Sequence, residues 1–388
     1  MRHTVDHSPL RVLVAPDSFK GSLSAHEVAR RIAAGIHQAL PDAVITEAPI
    51  ADGGEGTAAV VAERLQGDWR TVEVTDANRE RRQLPFAACT SASLGEFAIF
   101  DVAEIVGLPA ATLAPPLRTT RGVGQALRAI AALGHKTIVV GLGGSSTNDG
   151  GAGMLAELMI ECSGADGAAL DPGLGNLADI AALRRRGDSG WLQSITLIGL
   201  TDVSSPLTGP LGASHIFGRQ KGVDDLAAAD RLLGAFGARV TALLGEDFTR
   251  DAGAGAAGGL GFAVRAAGGS LQPGARFILD ALGLNEPGAQ FDWIITGEGR
   301  SDGQTLLGKG PAIVAELARG KNTPVSLLSG AVDEDAALFA LFDGCFSVQS
   351  APVSLQQAMA QAGPLLQAAA FNLARLFAAT RGVPPGGQ

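Results

Sequence analysis

Gly141-Leu142-Gly143-Gly144-Ser145-Ser146-Thr147-Asn148-Asp149-Gly150-Gly151 follows the apolar, β-type run Lys136-Thr137-Ile138-Val139-Val140 and leads into the helix-like run from Ala152 to Ile160. A strand, a loop of glycines and hydroxyls, and a helix N-terminus, in that order, form one unit of an α/β fold. The same order suits a phosphate. Glycines let the backbone come close, amide N–H groups point at the anion, and the helix dipole favours negative charge. Ser145, Ser146 and Thr147 add hydroxyls, and Asp149 adds a carboxylate for a metal or a hydroxyl. A tight structural turn draws on the same residue types, so the neighbouring segments must decide.

Toward the N-terminus, residues 11–16 read as a buried strand and 23–40 as a helix with Val28, Ile32 and Ile36 on one face. Residues 44–50 read as a second strand and 56–65 as a second helix. This alternation implies a parallel sheet covered by helices. The runs 69–76, 83–90 and 96–102 are then strand-like and closely spaced, which predicts antiparallel pairing. A helix is expected over 120–134, a strand over 195–200 and a helix over 224–245. The Ala/Gly-rich run 252–269 fits a closely packed helix or an ordered loop. Alternation resumes with strand 291–296, helix 311–318, strand 325–329, helix 335–342 and strand 344–348. A helical tail covers 354–380, where Pro364 predicts a break and a restart with proline at the first helical position. The expected fold is α/β with two domains. Residues 1–72 and 288–388 make a discontinuous Rossmann-like domain with a parallel sheet. Residues 73–287 make an inserted mixed α/β domain, with the active site in the cleft between the two.

Composition sets the class. The 388 residues are enough for two domains, and 46% hydrophobic content can fill their cores. No apolar run reaches the roughly 20 residues of a membrane span, and the start Met1–His7 has no signal-peptide apolar region. Cys89, Cys162 and Cys345 are scattered and lack metal-ligand spacing, which argues against disulfides and structural zinc and for a cytoplasmic home. A net charge of −9 without a basic stripe argues against a nucleic-acid partner. An acidic protein that handles an anion must place its few cations locally and recruit a divalent metal.

In parallel sheets, ligands sit beyond the carboxyl ends of the strands. Asp17-Ser18-Phe19-Lys20 follows the first strand, Asp52-Gly53-Gly54-Glu55-Gly56 the second, and Gly297-Glu298-Gly299-Arg300-Ser301-Asp302 the strand 291–296. If these strands share a sheet, Asp17, Asp52, Glu298 and Asp302 gather at one edge with Lys20 and Arg300. A lone Asp after a strand is an ordinary helix cap, but clustered carboxylates repel unless a cation sits among them. Mg²⁺ with a phosphate fits, with Asp52, Glu298 and Asp302 as the expected metal set. The segment from Gly303 to Gly310 misses a P-loop at its last position, where Gly310 replaces Ser or Thr. Lys309, at a helix mouth, can still meet a phosphate. Asp202 follows another strand, and Arg219 and Lys221 are candidates to clamp an anionic substrate, with solvated surface charge as the plainer reading. The six histidines form no ligand pair, and no GxSxG elbow is present.

These blocks, in this order from about residue 11 to 330, resemble the bacterial-type glycerate kinases of glyoxylate and sugar-acid catabolism. The matching segments are Ala15–Leu23, Ala51–Thr57, Gly141–Gly153, Asp202–Leu207, Phe217–Gly222 and Gly297–Asp302. The resemblance implies ATP-dependent phosphorylation of D-glycerate, with 2-phosphoglycerate the favoured product over 3-phosphoglycerate. It implies ATP and Mg²⁺ as cofactors, no membrane partner, and a monomer or homodimer. On that basis Asp17, Lys20, Asp52 and Asp202 are the expected catalytic residues. Gly143, Gly144, Ser145, Ser146 and Lys309 are expected at the nucleotide, and Ser18, Arg219, Lys221 and Arg300 at the substrate. Two other readings stay open here. The GLGGSS run also resembles the loop of the galactokinase–homoserine kinase superfamily, and a non-catalytic sugar-acid binder would share the cationic residues.

Overall fold

The computed structural model describes residues 9–51 and 53–381, so Asp52 lies outside the described residues. In chain order the first elements are β1 (Arg11–Val14), α1 (Ala25–Ala39), β2 (Val44–Glu47), α2 (Thr57–Leu65), β3 (Asp68–Thr75), β4 (Arg81–Ser91), β5 (Gly95–Asp101) and α3 (Ala103–Val106). Next come α4 (Arg121–Ala132), β6 (Thr137–Gly141), α5 (Ala152–Leu158), β7 (Ile160–Ser163), β8 (Ala182–Arg185), β9 (Thr196–Leu200), α6 (Ala213–Phe217), α7 (Leu226–Leu244) and α8 (Leu260–Ala266). They are followed by β10 (Ser270–Gln272), α9 (Gly274–Ala281), β11 (Trp293–Thr296), β12 (Arg300–Ser301), α10 (Gly310–Gly320), β13 (Val325–Ser329) and β14 (Ala331–Val332). The last are α11 (Ala336–Leu341), β15 (Gly344–Ser347), α12 (Leu355–Ala360) and α13 (Ala362–Thr380). The chain divides into two compact units, one of Met1–Asp52 and Ile278–Gln388, the other of Gly53–Phe277.

The first unit is built on a five-stranded sheet in the order β15-β13-β11-β1-β2, parallel throughout. Val12 lies opposite Trp293 and Leu13 opposite Ile294, so two strands almost the whole chain apart sit side by side. Residues 12–14 are fully buried, as expected of a strand covered on both faces. The helix α1 begins at a capping box in which Ser24 and Glu27 satisfy each other's backbone N–H. Its buried face, with Ile32 and Ile36, packs on α13. Gly35 lets the two backbones meet, because a Cβ there would fall 2.4 Å from the Gln367 carbonyl oxygen. Trp293 stacks on Phe377 at 4.4 Å between ring centres.

The second unit carries a six-stranded sheet in the order β10-β9-β6-β5-β4-β3. The β3–β4–β5 part is antiparallel and the rest is parallel. Phe86, Phe97, Phe100, Phe236 and Phe262 are fully buried in its core. The units divide at 52/53 and 277/278, not at the expected 72/73 and 287/288. The first difference has a plain cause: α2 packs on β4 and β5, and β3 pairs with β4 along its whole length. Alternation of strand and helix does not say which sheet a helix covers.

Three local expectations are corrected. The helix after the glycine loop stops at Leu158, because Ile160 begins β7, which pairs with β8. The run 252–269 holds a 3-10 turn at Ala256–Gly258 followed by α8. The C-terminal helix restarts at Ala362, so Pro364 is its third residue. That position is still in the first turn, where a missing N–H leaves no intrahelical bond unmade. Among the described residues, no helix is long and apolar enough to cross a membrane.

Candidate functional site

In the first unit, the loops after β1 and β11 run side by side. The Asp17 backbone N–H donates to the Gly297 carbonyl at 2.8 Å. Gly299 lies so close to the other loop that a Cβ there would come 3.3 Å from the Lys20 nitrogen. The Asp17 carboxylate accepts from the Ser18 backbone N–H at 2.6 Å. Asp17 and Ser18 are half-buried and Lys20 is exposed. The strand-tip rule therefore brings Asp17, Ser18 and Lys20 beside the segment that holds Glu298.

Glu298 is buried, at 7% exposure. Its Oε1 accepts from the Thr305 hydroxyl at 2.7 Å and the Ser301 hydroxyl at 3.2 Å. The Lys309 ammonium lies 3.8 Å from Oε2. Ser329, the last residue of β13, completes the network: its hydroxyl is 2.8 Å from that of Ser301 and accepts from the Glu298 backbone N–H at 3.3 Å. Burial pushes the Glu298 carboxyl up from the usual range, while Thr305, Lys309 and Ser301 pull it back. Lys309 sits at the N-cap of α10, and its charge is shared with this carboxylate. Asp302 is half-buried and accepts from the Gln304 N–H at 2.9 Å. Arg300 is exposed and pairs with Asp333 at 2.9 Å and Asp302 at 3.8 Å. Among the described residues, no group of three or more His, Cys, Asp or Glu is placed to hold a metal. The expected Asp52–Glu298–Asp302 set has one member outside the described residues.

In the second unit, the glycine loop packs against the segment after residue 52. A Cβ on Gly143 would fall 2.2 Å from Gly54 Cα, and one on Gly53 would fall 2.6 Å from the Leu200 carbonyl carbon. These glycines are required by backbone meeting backbone. Gly144 is exposed, with a φ of +69°, and a Cβ there would lie 3.6 Å from a Glu55 carboxylate oxygen. An anion at this rim faces Glu55, so it needs a cation with it. The hydroxyls do not line the rim: Ser145, Ser146 and Thr147 are all buried. Asp149 is fully buried and accepts from the Thr120 N–H and hydroxyl, the Gly151 N–H and the Gly153 N–H. It fixes the start of α5, and burial raises its pKa against those donors.

Lys221 and Arg219 share one 3-10 turn but opposite surroundings. Arg219 is exposed, whereas Lys221 is buried beneath the glycine loop. Lys221 donates to the Ser145 hydroxyl at 2.9 Å and the Thr147 carbonyl at 2.8 Å. Asp202, half-buried, follows β9 as expected. One carboxylate escaped the sequence reading. Asp101, at the end of β5, accepts from the Gly56 N–H at 2.9 Å and the Ala58 N–H at 3.2 Å, and so caps α2. Burial pushes its carboxyl up to about 7, with the Ala58 and Gly56 bonds opposing. The strand-end rule that selected Asp17 also selects Asp101. Arg118 and Ser329 carry no such sequence signal.

The family model for the glycerate kinase family matches residues 12–378. Glycerate kinase of Bacillus subtilis is 35% identical over 373 residues, covering 94% of this chain and 97% of the relative. Glycerate 2-kinase of Escherichia coli is 34% identical over 377 residues, covering 95% and 98%. A crystal structure from Salmonella typhimurium LT2, assigned provisionally as glycerate kinase 2, superposes with a TM-score of 0.81 at 35% identity, covering 97% of this chain and all of that one. The family match sets aside the galactokinase–homoserine kinase likeness and the non-catalytic binder. This chain belongs to the glycerate kinase family.

Proposed function

We propose that the protein transfers the γ-phosphoryl group of ATP to D-glycerate, giving 2-phosphoglycerate and ADP. The kinase class follows from the family, and the 2-position is favoured by the relative named glycerate 2-kinase. The observation that carries the site assignment is the alignment of the Asp17–Lys20 loop with the Glu298 loop at one edge of a parallel sheet. Phosphoryl transfer depends on positioning and charge stabilisation, and this edge supplies a carboxylate, a cation and a hydrogen-bonded acid network.

In this reading Asp17 orients the acceptor hydroxyl and takes its proton. The acceptor oxygen bonds to the γ-phosphorus as the bond from phosphorus to the β–γ bridging oxygen breaks, and ADP leaves. Lys20 offsets charge on the transferred group. Asp202 is a second candidate carboxylate. Gly143 and Gly144 offer exposed backbone to the nucleotide phosphates, while Ser145 and Ser146 support them from below. Lys221 is committed to the loop, so Arg219, Arg300 and Ser18 remain to bind the glycerate carboxylate. The donor chemistry fits Mg²⁺: Glu298, Asp302, Glu55 and the expected Asp52 are hard oxygen ligands. When bound, the ion neutralises phosphate charge.

Incubation with ATP, Mg²⁺ and D-glycerate, followed by ³¹P NMR, tests the reading. A 2-phosphate couples to one neighbouring proton and gives a doublet, whereas a 3-phosphate couples to a CH₂ and gives a triplet. Absence of ADP release would reject the activity. Full turnover in excess EDTA would reject the metal.

A further inference from the structure

Two cations are buried beneath the glycine loop, and each holds a different part of it. Lys221, at 4% exposure, donates to the Ser145 hydroxyl and the Thr147 carbonyl. Arg118, at 8% exposure, donates to the Ser146 carbonyl at 2.9 Å, the Lys221 carbonyl at 2.8 Å and the Leu113 carbonyl at 2.8 Å. Above them, the Gly144 carbonyl accepts from the Leu108 N–H, and the Ser146 N–H donates to the Val106 carbonyl. The underside of the loop is thus fixed through four consecutive residues, 144–147. Its exposed rim is confined to Gly143 and Gly144.

A trans peptide sets the carbonyl of one residue antiparallel to the N–H of the next, and the chain has no cis peptide bond. Drawing the Gly144 carbonyl onto Leu108 therefore turns the Ser145 N–H away from Leu108. The cations below decide which way this part of the backbone faces. Such burial is costly: an ammonium taken out of water is a poor source of stability, and an apolar side chain of similar volume would pack there at less cost. Asp149, the Coulomb partner of Lys221, is itself buried and held by Thr120, Gly151 and Gly153.

We propose that Lys221 is a positioning residue for the nucleotide, holding the Gly143–Ser145 backbone from beneath in a conformation that accepts phosphate. It does not touch D-glycerate. This rests on the reading of that loop as the nucleotide site. The experiment measures two quantities separately: the affinity for AMP-PNP with Mg²⁺ by calorimetry, without glycerate, and the KM for D-glycerate at saturating ATP. Lys221→Met keeps the volume and removes the charge. Its AMP-PNP affinity should fall on the order of tenfold to a hundredfold, as for loss of a charged hydrogen bond, with the D-glycerate KM unchanged. Ser145→Ala removes one of the acceptors and should weaken AMP-PNP in the same direction by less. It decides the matter if Lys221→Met does not fold. A raised D-glycerate KM with unchanged AMP-PNP affinity overturns the proposal, as does unchanged affinity in the folded variants. Wild type that binds AMP-PNP but releases no ADP with D-glycerate overturns the proposed function and leaves this inference standing.

Discussion

The Thr305 hydroxyl donates to Glu298 Oε1 at 2.7 Å, the shortest of the contacts that hold this buried carboxylate. The bond favours the ionised acid against a burial that disfavours it. Thr305→Val keeps the branching and removes the donor, so the Glu298 pKa should rise further. If ionised Glu298 is needed for turnover, the acidic limb of the kcat/KM profile moves to higher pH in this variant. A pH series on both enzymes checks it, and superimposable limbs would separate Glu298 from the rate.

Lys20 lies against Gly299 at the strand-tip edge with its side chain exposed. If it meets the transferred phosphoryl group, it acts mainly in the transition state. Lys20→Ala should then lower kcat on the order of 10²–10³-fold, as for loss of one preorganised donor, with little change in the KM for ATP. Steady-state kinetics with varied ATP measures both. Near-normal turnover would return Lys20 to the surface charges.

Much of this edge was legible in the sequence because chemistry and topology point the same way. Polar, glycine-flanked loops after apolar strands identified the Asp17 and Glu298 segments, and the return of strand–helix alternation at Phe291 anticipated the pairing of β1 with β11. What was not legible depends on depth. Arg219 and Lys221 are two residues apart in a polar stretch, and only the turn they share puts one outside and the other beneath a loop. Gly143 fits a phosphate loop by composition, yet its neighbour is Gly54, a contact across residues distant in sequence. The β7–β8 hairpin was hidden because Ile160 extends the apolar run of the helix before it.

Asp101 gives a pH prediction with a definite sign. Its folded pKa is raised to about 7, whereas an unfolded Asp releases its proton near about 4. Between those values the folded state binds more protons than the unfolded state, so this group's contribution to stability falls as pH rises from about 4 to about 7 and is then flat. Asp101→Asn cannot titrate. Melting temperatures across that window should show wild type losing ground relative to Asp101→Asn as pH rises. Parallel curves would mean that Asp101 is already ionised at low pH.

Two glycines separate steric necessity from conformational preference. A Cβ on Gly143 would lie 2.2 Å from Gly54 Cα and 3.0 Å from the Gly54 carbonyl carbon. Both are backbone atoms, so no side chain can swing aside, and the two loops must part. Gly95 is the opposite case: its φ of +67° is left-handed, but a Cβ there meets nothing within 4 Å. Gly95→Ala should therefore cost only the left-handed penalty of about 1–2 kcal/mol. Gly143→Ala should cost more, on the order of 3 kcal/mol or above, as for other backbone or packing strain. It should also reduce nucleotide affinity, because parting the loops displaces Gly144, whereas Gly95→Ala should leave affinity alone. Urea melts and AMP-PNP calorimetry on both variants provide the comparison. Equal destabilisation by the two would show that the Gly143 loop yields easily, and that its glycine serves the ligand instead of the contact with Gly54.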